Sequence, residues 1–157
     1  MKLVIVRHGD PDYTIDSLTP KGKREAKLLV DRISALKPDY FYCSPLGRAK
    51  KTASYTLKAL GADCEIMPWL TEFEGRVTED SGKIEVCWDR QHSVWTKEDI
   101  YYTENWADTP LMKEHNVREK YDAVCRGLDE LLALPDRCSQ YLPVQSFCQI
   151  YYRYRHQ

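Results

Sequence analysis

The sequence has no excess of charge of one sign, no long apolar run and no metal-binding cysteine pattern. Lys plus Arg is 23 and Asp plus Glu is 24 in 157 residues, for a net charge of -1. That balance leaves no broad basic footprint for nucleic acid. No apolar run approaches the roughly 20 residues of a membrane span. The apolar stretch Leu3-Val4-Ile5-Val6 meets Arg7-His8 at once, so it has neither the core nor the cleavage site of a signal peptide. A soluble cytoplasmic protein is expected. The 6 cysteines include no CxxC pair and no histidine at zinc-finger spacing, and are expected to be reduced and mostly buried. No GxGxxG follows the first apolar run, which disfavours a dinucleotide-binding fold. There are no internal repeats or low-complexity tracts.

What remains is an ordinary globular mixture, 43% hydrophobic and 30% charged. A chain of this length builds one domain with a core large enough to need no staple. Lys2–Val6 reads as a buried strand ending at Gly9. Thr19-Pro20 is a helix start, with Thr as cap and Pro in the first turn. Ala26, Leu29, Val30, Ile33 and Leu36 then make one apolar stripe over Pro20–Leu36. Tyr40–Cys43 reads as a second strand, and Ser44-Pro45 as the cap of a second helix reaching Leu60. Its apolar side carries Leu46, Ala49, Ala53, Leu57 and Leu60, and Gly61 closes it. Cys64–Met67 reads as a third strand. Alternating strands and helices predict a mostly parallel sheet in an α/β fold.

Residues 69–110 break that rhythm. They carry Trp69, Trp88, Trp95 and Trp106 without a helical stripe, and read as a lid-like insertion of loops and short helices whose tryptophans are packing residues. Asn116 with Glu119 reads as a capping box opening a helix striped by Val117, Tyr121, Val124, Cys125, Leu128, Leu131 and Leu132. Residues 135–157 are an atypical tail, apart from a possible short strand near Phe147–Tyr152.

In a parallel sheet, ligands bind outside the carboxyl ends of the strands. Three successive strand ends bring His8, Arg48 and Glu72 to that edge, with Arg7 beside His8. An imidazole nucleophile, two guanidinium clamps and a carboxylic acid suit phosphoryl transfer without a metal or other cofactor. Glu74, two residues away, competes with Glu72 for the acid's role. Ser44 reads as a helix cap near an anion-favouring helix start. Asp10 and Tyr13 read as solvated loop residues, with a place on the rim of the pocket as the alternative, and His92 and His115 as surface residues.

Arg7-His8-Gly9, Leu18-Thr19-Pro20-Lys21-Gly22 with Ala26, Ser44-Pro45-Leu46-Gly47-Arg48-Ala49 with Thr52-Ala53, and Leu70-Thr71-Glu72 with Phe73-Glu74-Gly75 together resemble the histidine phosphatase superfamily, the phosphoglycerate-mutase-like proteins. The resemblance implies a three-layer α/β/α sandwich with a mostly parallel sheet. It implies a phosphohistidine on His8, phosphate contacts from Arg7 and Arg48, Glu72 as proton donor and a small phosphorylated substrate. Phosphatase chemistry is expected over mutase chemistry, because no feature marks a pocket that retains the substrate through two transfers. One departure stands out: the family places a second histidine, followed by Gly, at a late strand end. Here that stretch reads Phe147-Cys148-Gln149-Ile150, and the one later histidine is His156. The alternative expectation is therefore a catalytically impaired phosphoryl-binding domain, or a truncated inactive member. Exposed sheet edges would then favour self-association; the oligomeric state is otherwise open.

Overall fold

Thr19 starts the first helix by turning its hydroxyl back on the chain. Its Oγ1 accepts a hydrogen bond from the Gly22 N–H at 3.1 Å, and Pro20 occupies the first turn, where its missing N–H costs nothing. The computed structural model describes residues 3–91, 93 and 97–133. These divide into two compact units, Met1–Thr71 and Glu72–Gln157. Helix and small two-stranded sheets are mixed through both, consistent with an α/β protein. Among the described residues, no helix is long and apolar enough to cross a membrane.

In the first unit, β1 (Pro11–Asp12) pairs antiparallel with β2 (Ser17–Leu18). Helix α1 spans Pro20–Leu36 and α2 spans Gly47–Leu60. Between and after the helices, β3 (Tyr42–Cys43) pairs parallel with β4 (Glu65–Ile66). Gly61 ends α2 at φ 61°, the left-handed conformation that glycine adopts without steric cost. The α1 stripe is graded: Ala26 is buried, Leu29, Val30 and Ile33 are half-buried, and Leu36 is exposed.

Two expectations need correcting. Residues 3–6 belong to no strand and are exposed, Ile5 at 80%. A strand exists only where a neighbour takes its backbone N–H and C=O groups; β3 and β4 pair only with each other among the described residues. On α2 the buried stripe is polar. Arg48, Thr52 and Thr56 are buried at i, i+4 and i+8, while Leu60 of the expected apolar side is 40% exposed.

Burial of Cys43 in β3 has a chemical consequence. Desolvation of the thiolate, reinforced by the nearby Cys64, pushes the Cys43 thiol up to about 11. At pH 8 its thiolate fraction is on the order of 10⁻³, and only the thiolate is nucleophilic. Iodoacetamide at that pH should modify the half-buried Cys64 while sparing Cys43 in the native protein. Peptide mass spectrometry reads this directly, and Cys43 alkylation as fast as that of Cys64 would contradict it. Cys43, Cys64 and Cys87 are free thiols.

The second unit is more ordered than a run of loops. Its insertion holds a hairpin, β5 (Arg76–Thr78) antiparallel to β6 (Ile84–Val86), followed by short 3₁₀ turns and α3 (Pro110–Lys113). Gly82 at φ 81° makes the hairpin turn, with its N–H donating to the Glu79 carbonyl at 2.8 Å. Helix α4 spans Val117–Leu132. Val77, Cys87, Tyr101, Ala107, Met112 and Val117 form one buried cluster, with Phe73 and Trp106 packed against it. Trp106 packs against the cluster and meets Tyr121 edge-on at 5.2 Å, whereas Trp88, 6.0 Å from Phe73, is 40% exposed. Asn116 does not cap α4 through its side chain: it stands at φ 53° and its side chain makes no cap bond. The expected late strand, Trp95 and His92 lie outside the described residues.

Candidate functional site

The segment after His8 is fixed from two sides. The Gly9 N–H donates to Thr52 Oγ1 at 3.0 Å, and the Thr52 hydroxyl donates to the Arg48 carbonyl at 2.9 Å. This is the familiar back-bond of a mid-helix threonine to the preceding turn, used here to anchor a different segment. It ties the backbone next to His8 to the turn of α2 that carries Arg48. On the other side, Thr19 Oγ1 donates to the Asp10 carboxylate at 2.6 Å, and the Thr19 N–H donates to the Asp10 carbonyl at 3.1 Å. The Asp10 N–H donates to Glu25 Oε2 at 2.8 Å. Asp10 is thus a structural residue lashed to the start of α1, and not a solvated loop residue as expected.

The close approach requires glycine on both sides. A Cβ on Gly9 would lie 2.8 Å from the Gly22 carbonyl oxygen. A Cβ on Gly22 would fall on the Asp10 carbonyl oxygen and 2.8 Å from the Asp10 nitrogen.

His8 itself is half-buried, with Nδ1 2.8 Å from the Gly9 carbonyl oxygen. A carbonyl only accepts, so this contact makes Nδ1 the protonated nitrogen and leaves the Nε2 lone pair available. Arg7 is exposed. Arg48 is 8% exposed. Its Nη1 donates to Asp16 Oδ1 at 2.9 Å, and its guanidinium lies 5.3 Å from the centroid of the Tyr13 ring. Tyr13 is 67% exposed.

Asp16 is the residue that the motif reading missed. Its Oδ2 accepts the Gly47 N–H at 2.5 Å, and Oδ1 accepts the Arg48 N–H at 3.4 Å. Asp16 therefore caps α2 from 31 residues away; Ser44, the expected cap, reaches only the Leu46 N–H at 3.3 Å. The Gly47 hydrogen bond, then those from Arg48, hold the Asp16 carboxyl below its ordinary value. Nothing in the local sequence separates Asp16 from Asp10 or Asp12, because its partners come from a distant segment.

Glu72 and Glu74 belong to the second unit and are exposed. Lys120 Nζ donates to the Glu74 carbonyl at 3.0 Å, which holds that segment to α4. His115 is half-buried, 2.9 Å from Thr78 Oγ1 through Nε2, so it is a bonded structural residue where a surface residue was expected. Among the described residues, no group of three or more His, Cys, Asp or Glu side chains is placed to hold a metal.

The chain is similar to proteins named probable phosphoglycerate mutase GpmB. With that of Serratia proteamaculans (strain 568) it shares 27% identity over 147 residues, 87% of this chain and 65% of the relative. With that of Enterobacter sp. (strain 638) the identity is 26% over 147 residues, with the same shares. The chain thus spans 65% of the length of these relatives. The family model of the histidine phosphatase superfamily (branch 1) matches residues 3–133, which includes His8, Arg48 and Glu72. The chain belongs to the histidine phosphatase superfamily.

Proposed function

We propose that the chain is a metal-independent phosphatase acting on small phosphate monoesters through a phosphohistidine on His8. Its fold is read as one domain, a three-layer α/β/α sandwich with a mostly parallel sheet, of which residues 69–110 are an insertion. The observation that carries the reading is the seat of His8: Nδ1 is engaged by the Gly9 carbonyl at 2.8 Å, which directs nucleophilic character to Nε2. In the first step Nε2 attacks phosphorus as the bond to the leaving oxygen breaks. Glu72, with Glu74 as the competing choice, gives that oxygen a proton. Arg7 and Arg48 bind the phosphoryl oxygens with planar N–H donors and offset their charge. In the second step water attacks phosphorus and the N–P bond breaks. The carboxylate takes the water's proton, and phosphate leaves.

The relatives' names point to a mutase. A mutase shares the first step but returns the phosphoryl group to a retained hydroxyl. Hydrolysis is preferred here because no residue marks a pocket that retains the product. A second reading is favoured by one feature, the sequence Phe147-Cys148-Gln149-Ile150 where the family carries histidine and glycine: the chain then binds phosphoryl groups without efficient turnover.

The test is to trap the intermediate. The protein is mixed with an aryl phosphate in the presence of a chelator, denatured rapidly in base and digested. Mass spectrometry should find an acid-labile phosphoryl group on the peptide carrying His8. A phosphoryl group on another residue would overturn the assignment. Phosphate binding without any phosphoenzyme would support the second reading instead.

A further inference from the structure

We infer that Asp16 is a positioning residue, whose carboxylate sets the plane of the Arg48 guanidinium for a phosphoryl oxygen. The inference rests on the proposed role of Arg48 as a phosphate ligand. Arginine recognises phosphate through a rigid planar fork, so its usefulness depends on where that plane points. Arg48 is buried at the start of α2, on a long side chain with several rotatable bonds. Asp16 constrains it at both ends. Oδ1 takes the Nη1 donor at 2.9 Å and also lies 3.4 Å from the Arg48 backbone nitrogen, while Oδ2 takes the Gly47 N–H at 2.5 Å. One carboxylate thus holds the guanidinium and the helix turn that bears it. Tyr13 covers a face of the same guanidinium at 5.3 Å. With one edge held and one face covered, the directions of the remaining N–H donors are determined.

Gly47 makes this arrangement possible. A Cβ there would fall on the Asp16 carbonyl oxygen and 3.0 Å from Oδ2. The first turn of α2 therefore accepts Asp16 only where the side chain at its first residue is a hydrogen atom. Charge-assisted bonds of this kind are stronger than neutral ones, which is why a bond from a half-exposed carboxylate still orients its partner.

A simple electrostatic neighbour would behave in the opposite way. Asp16 carries a negative charge close to a site proposed to bind an anion. If proximity were its whole effect, neutralising it would tighten phosphate binding. If it orients Arg48, neutralising it weakens binding. Asp16→Asn preserves size and an amide oxygen that still accepts the Gly47 N–H, so the helix cap survives the change.

The experiment titrates inorganic phosphate calorimetrically into the full chain, for wild type, Asp16→Asn, Arg48→Ala and the double variant. Circular dichroism melts run alongside. The expected result is a Kd raised about tenfold in Asp16→Asn, with a melting temperature close to wild type. The double variant should bind no more weakly than Arg48→Ala, because Asp16 acts through Arg48. Tighter or unchanged phosphate binding in Asp16→Asn, with Arg48→Ala still defective, would overturn the positioning role alone. Phosphate binding unaffected by Arg48→Ala would overturn the ligand reading of Arg48 and this inference together.

Discussion

Replacing His8 by alanine is expected to lower the hydrolysis of an aryl phosphate by on the order of 10⁴-fold or more, the scale on which removal of a covalent nucleophile acts. Residual turnover would come from binding and charge stabilisation alone. The choice of substrate isolates the nucleophile: an aryl oxide leaves readily, so the reaction depends little on a proton donor. Glu72→Gln should therefore cost far less on the aryl phosphate than on an alkyl phosphate, whose leaving oxygen requires protonation in the transition state. His8 does not hold up a packed core. It is half-buried, and its side chain bonds to the neighbouring Gly9 carbonyl, so His8→Ala should melt near wild type. Activity loss without unfolding separates chemistry from stability. Turnover within tenfold of wild type in folded His8→Ala would remove the phosphohistidine route.

Parts of this arrangement were legible because they depend on neighbours in sequence. Thr19-Pro20 and the spacing from Ala26 to Leu36 predict a helix over the very residues, Pro20–Leu36, that form it. Gly61 likewise ends α2. What escaped depends on distant partners. Thr52 and Thr56 look like surface residues in sequence, yet they are buried, and Thr52 is satisfied by the Gly9 N–H, 43 residues away. Counting apolar side chains therefore finds the half-buried flank of the stripe, Ala49, Ala53 and Leu57, and not its polar centre. Asp16 was missed for the same reason. Leu3–Val6 shows the reverse error: its composition suits a buried strand, but composition cannot supply the neighbouring strand that pairing needs. In the second unit, Asp80-Ser81-Gly82 carried a turn signal that identifies the β5–β6 hairpin in retrospect. Strands of only three residues leave too short an alternation to read from sequence. The family is legible despite these errors, because His8-Gly9 and Arg48 are recognisable motif residues without knowing which faces are buried.

Gly22→Ala tests whether close backbone packing, and not only the identity of the side chains, shapes the site. Gly22 lies in the first turns of α1, where helix propensity alone favours alanine by about 1 kcal/mol. Against this stands the contact with Asp10. The added methyl would fall on the Asp10 carbonyl oxygen, with the Asp10 nitrogen 2.8 Å away. Both are backbone atoms, so no side chain can rotate aside. The Asp10 backbone is further held by its bonds with Thr19 and Glu25. Overpacking against a fixed neighbour costs about 1–3 kcal/mol and occasionally more, and an overlap this deep belongs at the upper end. The balance is a net loss of about 2 kcal/mol, opposite in sign to the propensity argument. Relief by moving Asp10 also moves Gly9 and hence His8. A shift of about 1 Å at a reacting group costs on the order of 10²-fold in rate. Gly22→Ala is therefore expected to fall in both thermal stability and kcat/KM. The two losses should be measured well below the melting temperature, so that the kinetic effect is not a count of unfolded protein. An alanine variant that melts at or above wild type, with full activity, would show that α1 and the His8 segment have room to separate, and that the seat of His8 does not depend on this contact.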